Sequence, residues 1–390
     1  MCELGIVKNG GLLVSEGLVM ATGDSREIER TAPRGTEFVD AGNRVVLPGF
    51  VDAHTHPVFA GNRLDEFEQR ARGASYEEIA ASGGGIRSTV RKTRAATEEE
   101  LRGQALKRAQ WFLQCGTTTV EAKSGYGLSV ADELKMLRVI RDLSPETPLE
   151  IIPTFLGAHA IPEEFEGNRD GYVEILINEM LPRVVEEGLA EYCDIFCERG
   201  YFDLEASRQI LTVAKGRGLG LRMHVDQLTN SGGATLAADL SATTADHLEQ
   251  TEEEGIAAMS RAGVQPVLLP GSVYALGKTR YPKARDMIEA GLAVVLATDF
   301  NPGSSPTPSM PMILSLAATH MRMAPGEAVT AATINAAYSL GRGGKIGSLE
   351  AGKLANFAIF NCEDYRELAY YFGFPQTHSV FVKGQRVGVA

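Results

Sequence analysis

From residue 45 to about 300, continuous apolar and β-branched runs alternate with longer stretches of helical spacing. The runs are VVLPGFVDAH (45–54), TTTVEAKSG (117–125), LEIIPTFLGAH (149–159), YCDIFC (192–197), GLRMHVD (220–226), SATTADHLE (241–249), VQPVLLPG (264–271) and LAVVLATDF (292–300). Helical segments such as Glu98–Gln114 and Glu252–Ala262 lie between them. A strand covered on both faces needs no polar side, so unbroken apolar runs predict a parallel sheet wrapped by helices. Eight such units predict an α/β protein with a TIM-like (β/α)8 barrel over residues 46–339. An open doubly wound sheet is the alternative. The dinucleotide fingerprint that would favour it is missing, because GGGIRS in Ser82–Ser88 does not follow a strand. The ends of the chain read differently. GLLVSEGLVMATG near the start, and ANFAIF and HSVFVKGQRVGV near the end, alternate over short spans broken by turns. Residues 1–45 and 340–390 are therefore expected to pair into a small β-sandwich domain.

The apolar runs stop on chemistry. Their C-terminal ends carry His54 and His56, Lys123, His159, His224 with Asp226, His247, and Asp299. In a barrel those ends form the active-site face. Five of the seven histidines fall there. Residues two apart on extended backbone point the same way, so His54 and His56 share a side. With His224 from the fifth run and Asp299 from the eighth they make a three-nitrogen, one-oxygen set. Such a set suits zinc or iron and leaves room for a water. His320 and His378 lie away from these ends and are read as structural or surface residues.

Charge and composition narrow the reading. The net charge is -12, which disfavours nucleic acid, whose phosphates need Lys and Arg. A small anionic substrate needs only one or two well-placed cations. No apolar stretch is long enough to span a membrane. The N-terminus lacks the layout of a secretory signal, so a cytoplasmic location is expected. The five cysteines are scattered, which points to free thiols. Cys193 and Cys197 could be a metal pair but are read as buried core thiols.

GFVDAHTHP, with the later His224, His247 and Asp299, resembles the amidohydrolase superfamily of metal-dependent barrels. The resemblance covers the whole chain, since members also carry a small β-sandwich built from both termini. AGNRLDEF, VEAKSGYGL, FLGAHA, HVDQLTNSGG, ADHLE and TDFNPGSSP, in that order, narrow it to the imidazolonepropionase family. That implies hydrolysis of the cyclic amide of 4-imidazolone-5-propanoate to N-formimidoyl-L-glutamate, a step of histidine degradation. Another amidohydrolase acting on a carboxylated cyclic amide or ureide is the alternative. A catalytically inert barrel is a third reading, and the four intact ligand positions count against it.

The resemblance also implies roles. His54, His56, His224 and Asp299 would hold one metal per chain, Zn2+ or Fe3+, and Asp299 is a candidate general base. His247 would polarise the carbonyl or stabilise the oxyanion. Gln227 matches the family's HxDQ or HxDE pattern. Gln cannot ionise, so it would hydrogen-bond the ring and leave proton transfer to Asp299 or His247. Arg63 would meet the propionate through two parallel hydrogen bonds. Tyr126, His159, Asn301, Gly303 and Ser304 would complete the substrate contacts. Lys123, in KSGYGL, fits the single-metal pattern and is read as an electrostatic residue near the mouth. A homodimer is expected, and residues 65–94 are the candidate closing segment.

Overall fold

The computed structural model describes residues 3–388, apart from 75–77 and 79–82. Its main sheet has eight strands that follow one another in chain order. They are β4 (Phe50–Asp52), β5 (Thr117–Lys123), β6 (Glu150–Ala158), β7 (Tyr192–Cys197), β8 (Gly220–Val225), β9 (Thr244–His247), β10 (Gln265–Leu268) and β11 (Val295–Leu296). Every neighbouring pair is parallel. The sheet curls until its ends meet. Thr55, just past β4, bridges Phe300, just past β11. His56 N–H donates to the Phe300 carbonyl (2.8 Å), and Asp299 N–H donates to the His54 carbonyl (3.1 Å). The expected (β/α)8 barrel is the observed architecture.

The helices cover the barrel for the reasons their sequences suggest. Glu98–Gln114 starts on a capping box, in which Thr97 and Glu100 exchange side-chain and backbone hydrogen bonds. Its buried Leu101, Ala105, Ala109 and Phe112 recur at helical spacing and line one face.

Two expected strands differ. VVLPGFVDAH is not one strand. Val45–Pro48 (β3) pairs antiparallel with Phe357–Phe360 (β12) in a second, four-stranded sheet. Gly49 is the switch: its N–H donates to the Asn356 carbonyl, and the next N–H, of Phe50, donates to Gly116 in the barrel. A Cβ at Gly49 would lie 2.3 Å from the Thr118 side chain. The eighth run contributes only two ladder residues, Val295 and Leu296, and the chain turns aside beyond them at Asp299, whose φ is 53°. His54, His56 and Asp299 thus sit just beyond their strands, where backbone is free to bend toward the axis.

The second sheet is completed by Thr377–Val382 (β13) and Gln385–Val387 (β14). An N-terminal hairpin, Gly10–Ser15 (β1) with Leu18–Asp24 (β2), joins the C-terminal part of the chain through exchanged hydrogen bonds between Val19 and residues 352–353. The candidate closing segment contains helices Leu64–Ala71 and Ile86–Ala95. Seven of its residues, among them Ser82 just before GGGIRS, lie outside the described residues.

Candidate metal centre and active site

The barrel's closing seam sets His54 and His56 against Asp299. His54 Nε2 and His56 Nε2 lie 3.6 and 3.5 Å from the same oxygen, Asp299 Oδ1. His224, in β8, stacks edge-on against His54 with ring centroids 4.4 Å apart. His247 ends β9 at φ 81°, in left-handed backbone that a non-glycine residue seldom adopts. Ligand-capable atoms of His54, His56 and Asp299 fall within 4.8 Å of one another, as do those of His54, His224 and His247. The four expected ligands are therefore together, and His247 stands within reach of the same point.

The chemistry of these atoms fits a metal. His54 Nε2 and His224 Nε2 are buried with no hydrogen-bond partner among the described residues. Ligand atoms around a tetrahedral ion with bonds of about 2.05 Å would lie roughly 3.3 Å apart, close to the spacings of Asp299 Oδ1. Burial drives His54 and His56 well below the usual histidine range and also lowers His224. They are neutral at physiological pH, the form that ligates. Burial pushes Asp299 up to about 6, against the pull of His247. Burial alone would lower His247, but Glu249, 3.4 Å away, with Asp299 and Asp246, raises the pKa.

Beneath the imidazoles lies a layer of buried charge. His54 Nδ1 is 2.6 Å from Asp246 Oδ2, and His224 Nδ1 is 3.1 Å from Asp194 Oδ1. These carboxylates fix the rings so that each Nε2 faces the centre. Lys123 donates to Asp194 and to Glu121, both at 2.7 Å. Arg222 lies 3.6 Å from Asp246 and donates to the Ala53 carbonyl at 2.7 Å. Burial would raise Asp194, but His224 and Lys123 hold it well below the usual carboxylate range. Burial would lower Lys123, but Asp194 and Glu121 raise it. The lysine is wholly buried and paired as a cation, not free at the mouth.

The chain matches the sequence profile of the Amidohydrolase family over residues 45–387. It belongs to the amidohydrolase family. The imidazolonepropionase of Solibacter usitatus is 59% identical, the match covering 99% of this chain and 93% of that one. The imidazolonepropionase of Desulfotalea psychrophila is 48% identical, with 97% and 92% covered. Among solved structures, the 5-methylcytosine deaminase of Klebsiella pneumoniae superposes with a TM-score of 0.74 at 17% identity, covering 96% and 94%. At that identity the likeness is one of fold. As an amidohydrolase the chain is a metal-dependent hydrolase of a small molecule.

In this amidohydrolase two of the remaining expected residues lie against His56. His159 stacks on it with centroids 5.2 Å apart and a 20° tilt, and Tyr126 lies 5.9 Å away. His159 Nδ1 is 2.9 Å from the Gly125 carbonyl, and burial drives its pKa down to about 3. Burial pushes the Tyr126 phenol upward. Arg63 contributes electrostatically at both residues. Gln227 is half-buried. Asn301 braces its own loop: its amide donates to the Asp299 carbonyl and to Ser304 Oγ, and accepts from the N–H groups of Gly303 and Ser304. Ser304 Oγ reaches Asp299 Oδ2 at 3.4 Å. Cys193 and Cys197 are buried core thiols whose pKa values burial raises.

Sequence reasoning assigned no role to Glu121, Asp194, Arg222, Asp246 or Glu249. A charged residue inside an apolar run was the available signal, as in YCDIFC and LRMHV. Glu133 was missed as well. Its carboxylate accepts from the backbone N–H groups of Gly125, Gly127 and Leu128 and so shapes the loop that carries Tyr126.

Proposed function

We propose that this protein hydrolyses the cyclic amide of 4-imidazolone-5-propanoate to N-formimidoyl-L-glutamate in histidine degradation. The observation that carries the reading is a neutral-histidine and carboxylate centre with a nearly buried arginine across one loop from it. Arg63 has a side chain 12% exposed; its Nη1 stands 4.0 Å from Glu66 Oε2, too far for a hydrogen bond, and its terminal nitrogens make no hydrogen bond among the described residues. A guanidinium in that state is a site for a carboxylate. The names of the relatives support the particular ring.

His54, His56, His224 and Asp299 would hold one Zn2+ or Fe3+. A bound metal would supply Lewis acidity and lower the pKa of a water to about 7. His54 Nδ1 is engaged by Asp246, so both ligand trios share the one free Nε2 of His54, which supports a single ion.

The chain's own groups would do the rest. Asp299 would take the proton of the attacking water and pass it to the leaving ring nitrogen. His247, whose pKa Glu249 helps to raise, would donate to the carbonyl oxygen as negative charge grows there. Arg63 holds the propionate. Tyr126 and His159 line the ring site beside His56, and Gln227 offers its amide to the ring without exchanging a proton. The loop 301–304 encloses the far side through Gly303 and Ser304.

In this reading residues 46–339 are the catalytic barrel and 1–45 with 340–390 the accessory unit, with β3 as the seam. A homodimer belongs to the reading. The consecutive exposed aromatics Tyr370, Tyr371 and Phe372, with Phe374, form the kind of patch that partners cover. Among the described residues no helix is long and apolar enough to cross a membrane.

The test is to incubate the purified protein with fresh 4-imidazolone-5-propanoate and identify the product by mass. N-formimidoyl-L-glutamate is expected. Ammonia release from purine or pyrimidine bases, with the imidazolone untouched, would overturn the assignment in favour of a deaminase.

A further inference from the structure

Arg63 is held by Thr89, a residue outside the roles described above, and by Gly303, so far read only as a wall of the substrate site. The helix Ile86–Ala95 presents Thr89, Lys92 and Thr93 on one face, three and four residues apart. All three seize the loop that follows the HxH motif. Thr93 Oγ1 accepts from Ala60 N–H at 3.2 Å, Lys92 donates to the Asn62 carbonyl at 3.0 Å, and Thr89 Oγ1 accepts from Arg63 Nε at 2.8 Å. Thr89 and Thr93 are buried. Opposite Thr89, the guanidinium lies against Gly303. A Cβ there would fall 2.4 Å from Arg63 Nη1 and 3.0 Å from its Cζ. Gly303 is itself pinned by Arg70, which donates to its carbonyl at 3.2 Å, and by the Asn301 amide oxygen. With Nε committed to Thr89 and the guanidinium against Gly303, a ligand is left the Nη nitrogens, where Glu66 Oε2 stands 4.0 Å from Nη1, too far for a hydrogen bond.

We propose that Thr89 and Gly303 are positioning residues that set the Arg63 guanidinium and thereby fix the distance from the carboxylate site to the reacting centre. A long, flexible arginine at a mouth accepts carboxylate arms of several lengths. One held at Nε and walled on one face accepts a single length. The pair therefore selects the length of the carboxylate-bearing arm. This rests on Arg63 being the carboxylate contact of the proposed function.

The experiment uses the metal-loaded enzyme and its Thr89→Val, Thr89→Ser, Gly303→Ala and Arg63→Ala variants, with the double variant Arg63→Ala/Thr89→Val. Metal content and melting temperature are recorded for each, and 4-imidazolone-5-propanoate is compared with the analogue one methylene shorter. Val matches the shape of Thr without the hydroxyl. Thr89→Val is expected to raise KM for the propanoate about tenfold, as for a lost hydrogen bond to a charged group, with kcat within about twofold. Its preference over the shorter analogue should shrink. Thr89→Ser should restore both. Gly303→Ala should act like Thr89→Val, since the atom in the way is the end of a flexible side chain and the backbone need not move. Adding Thr89→Val to Arg63→Ala should cost nothing more, because the two act through one group. A Thr89→Val enzyme with wild-type KM and preference overturns the inference. So does a full additional loss in the double variant. If Arg63→Ala raises KM while Thr89→Val does not, the inference falls and the carboxylate contact stands. If Arg63→Ala itself leaves KM unchanged, the contact falls and the inference with it.

Discussion

Asp194 and Asp246 do for the imidazoles what the imidazoles do for a metal. Each takes Nδ1 of one ring, at 3.1 and 2.6 Å, and leaves Nε2 as the lone-pair end. Replacing either by Ala should weaken metal binding about 10- to 100-fold, read by competition against a chelator. Asp299→Ala should remove both metal and turnover, and Arg63→Ala should mainly raise KM. Asp52 gives a pH prediction for the metal-free protein. It accepts from Thr298 N–H and Oγ–H at 2.9 and 2.6 Å, yet burial pushes its carboxyl up to about 7. A folded pKa raised above the unfolded value near 3.9 means that stability is full below about pH 4 and falls as pH rises through 7. Asp52→Asn should flatten that fall, seen as a smaller drop in melting temperature between pH 5 and pH 8, about the window set by those values. The metal ligands were legible from sequence because a histidine or acid ending an apolar run is conspicuous. Lys123 was legible as a charge and not as a wholly buried one, since its partners Glu121 and Asp194 are 2 and 71 residues away.

Strand boundaries were harder to read than strand existence. A continuous apolar run does not show where a chain leaves one sheet for another, and VVLPGF serves two. The switch is visible only in hydrogen bonds, at Gly49 between Asn356 and Gly116. Gly49→Ala would drive a methyl into Thr118 between two packed sheets. It should destabilise by roughly 1–3 kcal/mol, as overpacking does, read as a lower denaturation midpoint with an unchanged slope. The eighth run was likewise read as a full strand, whereas Asp299 leaves it in left-handed backbone. Tertiary demand overrides local propensity there: the turn lets Asp299 lean toward His54 and His56. The helix Ile86–Ala95 lay within the segment read as a possible lid. Its grip on residues 60–63 depends on three side chains that no periodicity distinguishes from an ordinary helix face.

The barrel brings groups from distant parts of the chain to one point, and its closure is itself part of the site. Backbone hydrogen bonds that join the two ends of the barrel sheet are made by His54, His56, Asp299 and Phe300. Folding the barrel therefore builds the metal centre, and a bound metal should in turn stabilise the closed barrel by binding only the folded state. Solved relatives at 17% identity share this architecture with deaminase chemistry, so the fold leaves the reaction open and the residues at the strand ends must choose it. The most direct measurement is to strip the metal, titrate Zn2+ back, and follow conversion of 4-imidazolone-5-propanoate to N-formimidoyl-L-glutamate. Activity should rise linearly and level off at one ion per chain, with no recovery in His56→Ala. A plateau at two ions, or full activity in the stripped protein, would contradict the account.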